Sequence, residues 1–217
     1  MIILQNGQLS LLKQKINEMI VMFETHDTFA TAKFQTILQI IYKNIEQCIM
    51  NDFDGIKELS RYVYEDWRNV CVGKNGVENW YLNVSDLTLK GKWNKSFEEL
   101  ALSVDRILGT NFIVPRKWYS YDELIRLGQQ YKEREKDWNV VIEELVMGHR
   151  YYQSPMEQVP DDIWSFAKML GLAGSDDTLK EWFLRDVPAF GYFSPVQILK
   201  IENGDDILRI LMYGIPV

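Results

Sequence analysis

The chain of 217 residues carries 31 acidic and 24 basic side chains, a net charge of −7, and 47% of its residues are hydrophobic. This composition excludes a disordered tail and argues against binding of nucleic acid or anionic membranes through a broad basic surface. No stretch approaches the ~20 consecutive apolar residues of a membrane span.

Three amphipathic helices are predicted within residues 1–70. In each, apolar residues recur every three or four positions, as in a helix that buries one stripe. The stripes are Leu9, Leu12, Ile16, Met19, Ile20 and Phe23, then Phe34, Leu38, Ile41, Ile45 and Cys48, then Phe53, Ile56, Leu59, Val63 and Trp67. Because each helix buries one face, the three favour a helical bundle.

The pattern changes between residues 77 and 90. Trp80, Leu82 and Val84 alternate with other residues, which is typical of a strand, so a small β-hairpin is expected there. The sequence Ser96-Phe97-Glu98-Glu99 has the form of a capping box and predicts the start of a helix.

A second capping box, Ser120-Tyr121-Asp122-Glu123, predicts a long helix that ends near Gly148.

Proline-containing sequence from residue 154 to residue 160 marks a loop. We therefore expect a mainly α protein with a helical domain of unknown role over residues 1–155 and a compact helical module over residues 156–217. Acids outnumber bases in this module, which favours a basic partner.

The last module predicts a helix, a tight turn and further helices. Pro188 and Gly191 force the turn, and Ser194 followed by Pro195 is a helix N-cap with proline at the first helical position. Gly204 precedes a final helix that includes Leu208. An apolar tail, Ile215-Pro216-Val217, follows.

This stretch resembles the toxin-binding domain of the Xre/MbcA/ParS antitoxins. That family has a Trp-Leu pair, then Pro-Asn-Pro-Ala-Leu-Gly-Gly-x-x-Pro-Leu-x-x-Leu, a spacer and a glycine. The corresponding residues are Trp182-Phe183, Pro188-Ala189-Phe190-Gly191, Pro195-Val196, Leu199 and Gly204. Asp186 replaces the first proline and Tyr192 the second glycine, and the likeness covers about a quarter of the chain.

The resemblance implies an antitoxin- or immunity-like interaction protein that neutralises a toxin enzyme, such as an NAD-consuming RES-domain enzyme. The residues it implies for partner binding are Trp182, Pro188, Phe190, Gly191, Pro195, Gly204, Leu208, Ile215, Pro216 and Val217. In relatives the C-terminal end can lie against the entrance of the toxin's active site. Most relatives also carry a DNA-binding helix–turn–helix, but residues 1–155 show no such unit, so repressor activity is not inferred.

Three other hypotheses stay open. The chain could be an all-α accessory or regulatory protein of a phage or mobile element, with its activity in the N-terminal bundle. An enzyme would use carboxylates in a cleft, and the candidates are Glu65, Asp66, Asp161 and Asp162. Nucleic-acid binding, which the acidic composition disfavours, would use a basic and aromatic strip: Lys90, Lys92, Trp93, Lys95, Arg116, Lys117, Trp118 and Tyr119.

Cofactor and metal motifs are not found in the sequence. Cys48, Cys71, His26 and His149 are the only cysteines and histidines, and their spacing predicts no zinc site. Phosphate-binding glycine loops and a nucleophile elbow are missing, so we expect neither a cofactor nor enzymatic activity. With no secretory signal in the sequence, we expect a cytoplasmic protein with no membrane partner. A homo-oligomer is left open.

Overall fold

The N-terminal stripes fold as predicted. The computed structural model describes residues 2–25, 32–72, 76 and 80–214. Its first helices are α1 (Asn6–Thr25), α2 (Ala32–Met50) and α3 (Ile56–Cys71). Every apolar position predicted for α1 and α2 is buried, whereas in α3 the buried stripe starts at Leu59. The 3.6-residue period therefore identified the core face of these helices.

A small β-hairpin was expected between residues 77 and 90. Residues 77–79 lie outside the described residues, and residues 80–90 form no hairpin. Residues 80–86 contain no strand, and α4 (Leu87–Leu108) begins where the second strand was expected. The Asn94 side chain takes the place of a partner strand. It accepts a hydrogen bond from Leu82 N at 2.7 Å and donates one to Leu82 O at 3.0 Å.

The prediction that a helix begins with a capping box at Ser96 is also wrong, because α4 already begins at Leu87. The Asp86 carboxylate accepts a hydrogen bond from Leu89 N at 2.9 Å, so it satisfies an N–H group at the start of this helix. Ser96 therefore lies inside α4, where the same residue pattern has no capping role.

The chain divides into two compact units. Unit 1 comprises Met1–Asn83 and Trp93–Pro115, and unit 2 comprises Val84–Lys92 and Arg116–Val217. This division differs from the expected boundary at residue 156. Helix α5 (Tyr121–Met147) belongs to unit 2 because it packs chiefly against the last helix, α9 (Gly204–Tyr213). The first turn of α4 is also part of unit 2.

The interior of unit 1 contains an aromatic cluster and a buried carboxylate. Phe97 stacks on Trp93 and meets the Phe23 ring edge-on. Asp105 accepts hydrogen bonds from Trp67 Nε1 at 2.7 Å and from Ile113 N at 2.7 Å. A third hydrogen bond comes from the Thr110 hydroxyl at 2.6 Å, so one carboxylate joins α3 to the chain that follows α4.

Unit 2 is built on α5. The predicted Ser120 capping box is confirmed: Glu123 N donates to the Ser120 hydroxyl at 3.2 Å, and Ser120 N donates to the Glu123 carboxylate at 2.7 Å. After α5 come α6 (Asp161–Met169), α7 (Asp176–Leu184), a 3₁₀ turn (Pro188–Phe190), α8 (Pro195–Leu199) and α9. No helix in the described ranges is long and apolar enough to cross a lipid bilayer.

Candidate partner-binding site

The predicted helix–turn–helix is present in residues 176–199. Helix α7 ends at Leu184, and an antiparallel bridge between Val187 and Phe193 closes the turn. Gly191 adopts a left-handed φ of 69°, which glycine reaches without strain, and a Cβ there would lie 2.7 Å from Tyr119 Cδ2. Ser194 caps α8 with its hydroxyl, and Pro195 occupies the first turn, as predicted. This turn is therefore fixed by local residue chemistry.

Most residues that the resemblance assigns to partner binding lie in the interior of unit 2. The buried ones are Trp182, Phe190, Gly191, Pro195, Gly204 and Leu208. Pro188 is exposed, and Ile215, Pro216 and Val217 lie outside the described residues. In this conformation the buried set holds the turn together, so a partner would contact exposed residues that this set positions.

The two departures from the family pattern have structural roles here. Asp186, at the place of the first proline, pairs with Lys90, whose Nζ lies 2.9 Å from Asp186 Oδ2. Tyr192, at the place of the second glycine, keeps a left-handed φ of 64°, which costs a non-glycine residue about 1–2 kcal/mol. Its ring stacks on Trp118 with centroids 4.8 Å apart, and this contact offsets part of that cost.

A groove of about 380 Å³ lies in the same unit, among α5, α6 and α9. Its apolar and aromatic walls are Tyr131, Trp138 and Ile142. The polar lining residues are Lys132, Glu135, Asn139, Asp162, Asp206 and Arg209. An aromatic wall beside carboxylates suits a side chain that has an apolar stem and a cationic head.

Arg209 organises the groove. Its Nε donates to Asp162 Oδ2 at 2.8 Å, and its Nη1 donates to Asp205 and Asp206 at 3.0 and 2.9 Å. The guanidinium also lies over the Tyr131 ring, 5.5 Å from the centroid. Burial opposes the charge of Arg209, but the hydrogen bonds and charge of Asp162 outweigh it and raise the pKa of Arg209.

The carboxylates outnumber the cations around this groove. Burial, together with the neighbouring charge of Asp205, raises the pKa of Asp206 above its ordinary value, although Arg209 acts in the opposite direction. Burial likewise raises the pKa of Tyr131. The indole of Trp138 donates to Asp162 Oδ2 at 2.9 Å, so the aromatic wall and the carboxylate are held in one network.

The acidic pair at the start of α6 binds donors from other parts of unit 2. Asp161 and Asp162 lie in the first turn of α6, yet no side chain caps that helix. Asp161 accepts from Ser154 N at 2.8 Å, while Asp162 binds Trp138 and Arg209. Their position still complements the positive end of the helix. These two carboxylates therefore join α6 to α5, to α9 and to the loop before α6.

The candidate residues of the other hypotheses are distributed over both units. Glu65 and Asp66 belong to unit 1, whereas Asp161 and Asp162 belong to unit 2. Four of the eight residues of the basic strip, Lys90, Trp93, Trp118 and Tyr119, are buried and do not form an exposed surface. Over the described ranges, which omit His26, no three His, Cys, Asp or Glu side chains form a group able to hold a metal ion.

The groove was not predicted from the sequence. Tyr131 and Trp138 have the seven-residue spacing of one helical face, which is typical of core positions. In the sequence, Arg209 is one of several bases in residues 156–217. The available signal was a lone arginine three and four residues after Asp206 and Asp205, a spacing that places all three on one helical face. Its partner on α6, Asp162, is brought near only by the packing of the helices.

Comparisons of the chain with protein-family models, with curated proteins and with solved structures find no match.

Proposed function

We propose that this chain is an interaction protein, antitoxin- or immunity-like, that neutralises a toxin enzyme by binding it through unit 2. The observation that carries this proposal is the arrangement of the antitoxin-like residues. Trp182 and Phe190 meet edge-on with ring centroids 5.9 Å apart, and Trp182 meets Phe183 at 5.1 Å. Pro195 begins the next helix in the same packed unit. A preformed helical turn of this kind is a suitable docking element, because little ordering entropy is lost on binding.

Exposed residues of the turn supply its outer surface. Leu184 at the end of α7 is 60% exposed, and Pro188 and Ala189 in the 3₁₀ turn are exposed as well. Exposed apolar side chains held in a fixed arrangement can supply part of the contact surface of a protein complex. The buried Phe190 and Phe193 hold this surface in place.

Neutralisation requires no chemistry from this chain. A toxin that consumes NAD is inhibited when a bound protein covers the entrance to its active site. The interaction protein must then supply shape, charge and a slow dissociation rate, since related complexes differ mainly in how fast they separate. Candidate toxins are RES-domain enzymes and the product of any toxin-sized reading frame beside the gene for this chain.

Co-expression tests this proposal. A candidate toxin is expressed alone and with the chain, and the growth of the host and its NAD content are measured. We expect the chain to restore both and to elute with the toxin in size-exclusion chromatography. The proposal would be contradicted if excess chain formed no complex with any of these candidate toxins and left the NAD consumption of each unchanged.

Matched glycine variants control for the integrity of unit 2. Gly204→Ala places a Cβ onto Ile198 O and the Leu199 backbone, whereas Gly174→Ala meets nothing within 4 Å. We expect Gly174→Ala to neutralise the toxin as the wild type does and Gly204→Ala to lose neutralisation. If Gly204→Ala has lost the structure of unit 2 but still neutralises the toxin as well as the wild type does, the activity belongs to unit 1.

A further inference from the structure

We propose that the groove among α5, α6 and α9 receives an arginine or lysine side chain from the partner protein. This inference rests on the proposed function, because it names the chemistry of the partner that unit 2 binds. It adds a contact site that the antitoxin resemblance does not assign, since none of the residues it implies lines this groove.

The groove has room for one long side chain. Its volume of about 380 Å³ is in the range of small-ligand sites, roughly 300–1,000 Å³. Tyr131 and Trp138 are almost wholly buried, so they are fixed in place and contribute a small apolar surface, next to the half-buried Ile142. Arginine and lysine carry apolar stems that can lie along such a surface while the charged head reaches polar groups.

The charge of the groove favours a cationic head group. Glu135, Asp162 and Asp206 line the groove together with Lys132 and Arg209, and Asp205 adds a further carboxylate on Arg209. Each ionised carboxylate can accept about four hydrogen bonds, and Arg209 uses part of that capacity. A second cation would therefore find acceptors without displacing Arg209.

Arg209 itself shows that this environment holds a guanidinium. It contacts an aromatic ring and carboxylates at the same time, the combination by which proteins recognise cations. The raised pKa of Asp206 has burial and the charge of Asp205 as its causes. A cation in the groove would supply opposite charge and lower that pKa, which gives the inference a spectroscopic readout.

The test uses the full-length chain and a defined probe, the peptide acetyl-Gly-Leu-Arg-Leu-Gly-amide. The control probe carries citrulline, which has the shape of arginine without its charge. Binding is followed by the NMR signal of the Trp138 indole N–H, which is identified by its loss in Trp138→Phe. We expect the arginine peptide to shift this signal, the citrulline peptide to shift it far less, and the pKa of Asp206 to fall when the arginine peptide binds.

Charge-matched variants locate the binding. Glu135→Gln/Asp206→Asn removes two acids from the groove, and Asp177→Asn/Glu181→Gln removes two exposed acids on α7. We expect the groove variant to bind the arginine peptide about tenfold more weakly and the α7 variant to bind within about twofold of the wild type. Glu135→Gln alone, at an exposed position, should weaken binding without any change in the melting temperature.

Three results would overturn the inference: no effect of the arginine peptide on the Trp138 signal, equal effects of both peptides, or equal weakening by the groove and α7 variants. Its failure is distinguishable from failure of the proposed function. If the toxin is neutralised but the peptide does not bind, the groove assignment falls and the function stands. If the peptide binds but no toxin is neutralised, the cation site stands and the function falls.

Discussion

The Lys90 ammonium and the Asp186 carboxylate form an ion pair, Nζ to Oδ2 2.9 Å, in the interior of unit 2. Their side chains are 0% and 10% exposed, and 96 positions separate them in the chain. Lys90 also lies 3.4 Å from Gln197 Oε1 and over the Phe193 ring. The first turn of α4 is thereby joined to both sides of the helix–turn–helix, so residues 84–92 are an integral part of unit 2.

Breaking this pair from one side should be costly. Asp186→Ala leaves a buried ammonium without its carboxylate, and we expect the free energy of unfolding to fall by about 3–5 kcal/mol. Urea unfolding followed by circular dichroism measures this change. Replacing both charges, as in Lys90→Met/Asp186→Leu, should recover most of the loss, because buried pairs often contribute little relative to apolar residues. A double variant less stable than Asp186→Ala would contradict this account.

The alkaline pH dependence of stability should show the burial of Lys90. Burial lowers its pKa from the ordinary value of 10.5, and Asp186 opposes the shift only in part. Between the folded-state pKa and 10.5, the unfolded chain binds more protons than the folded chain at this site, so stability rises with pH there. The free energy of unfolding of the wild type, minus that of Lys90→Met/Asp186→Leu, should increase from pH 7 toward 10.5. A difference that falls over this range would contradict the prediction.

Gly204 is required by close approach of backbones rather than by its φ angle. A Cβ at this position would overlap Ile198 O and lie 2.8 Å from Leu199 Cα, which is backbone and cannot rotate away. We expect Gly204→Ala to lower the free energy of unfolding by about 3 kcal/mol. Gly174→Ala, which meets open space, should change it by less than about 1 kcal/mol. Thermal and urea unfolding of the two variants in parallel measure the difference, and similar losses would show that the site tolerates a side chain.

Asp105 should be the most sensitive polar residue of unit 1. Asp105→Ala leaves Trp67 Nε1 and Ile113 N without their acceptor in a buried site, so we expect a loss of about 3 kcal/mol. Thr110→Val removes one hydroxyl donor, nearly keeps the shape of the side chain, and leaves the carboxylate bound to Trp67 and Ile113. Its loss should be smaller, about 1 kcal/mol. Urea unfolding checks the order of the two, and a smaller effect for Asp105→Ala would contradict the role of the carboxylate.

Local patterns predicted the local features well. The stripes of α1 and α2, the capping box at Ser120, the N-cap at Ser194 and the tight turn at Pro188 and Gly191 are confirmed. Each depends on residues within about one turn of helix of one another, for which spacing and backbone preference are decisive. The β-hairpin failed because Leu82 pairs with the Asn94 side chain, which no alternation pattern reveals.

The candidate site could not be predicted in the same way. Asp162 and Arg209 are 47 positions apart, and Trp138 reaches Asp162 across 24. Their types and local spacing are compatible with a solvated helix face, so only the packing of α5, α6 and α9 brings them together. The burial of Lys90 was equally hidden, because lysine is rarely buried without a partner and its partner lies far along the chain.

Chemical cross-linking of the complex with the neutralised toxin, read by mass spectrometry, tests the central claim most directly. Unit 2 offers Lys117, Lys132 and Lys200 as reporters, and unit 1 offers Lys13 and Lys57. The account predicts toxin cross-links from the unit 2 lysines, with Lys132 beside the groove among them, and few from unit 1. Toxin cross-links confined to Lys13 and Lys57, with those of unit 2 unchanged from the free chain, would contradict it.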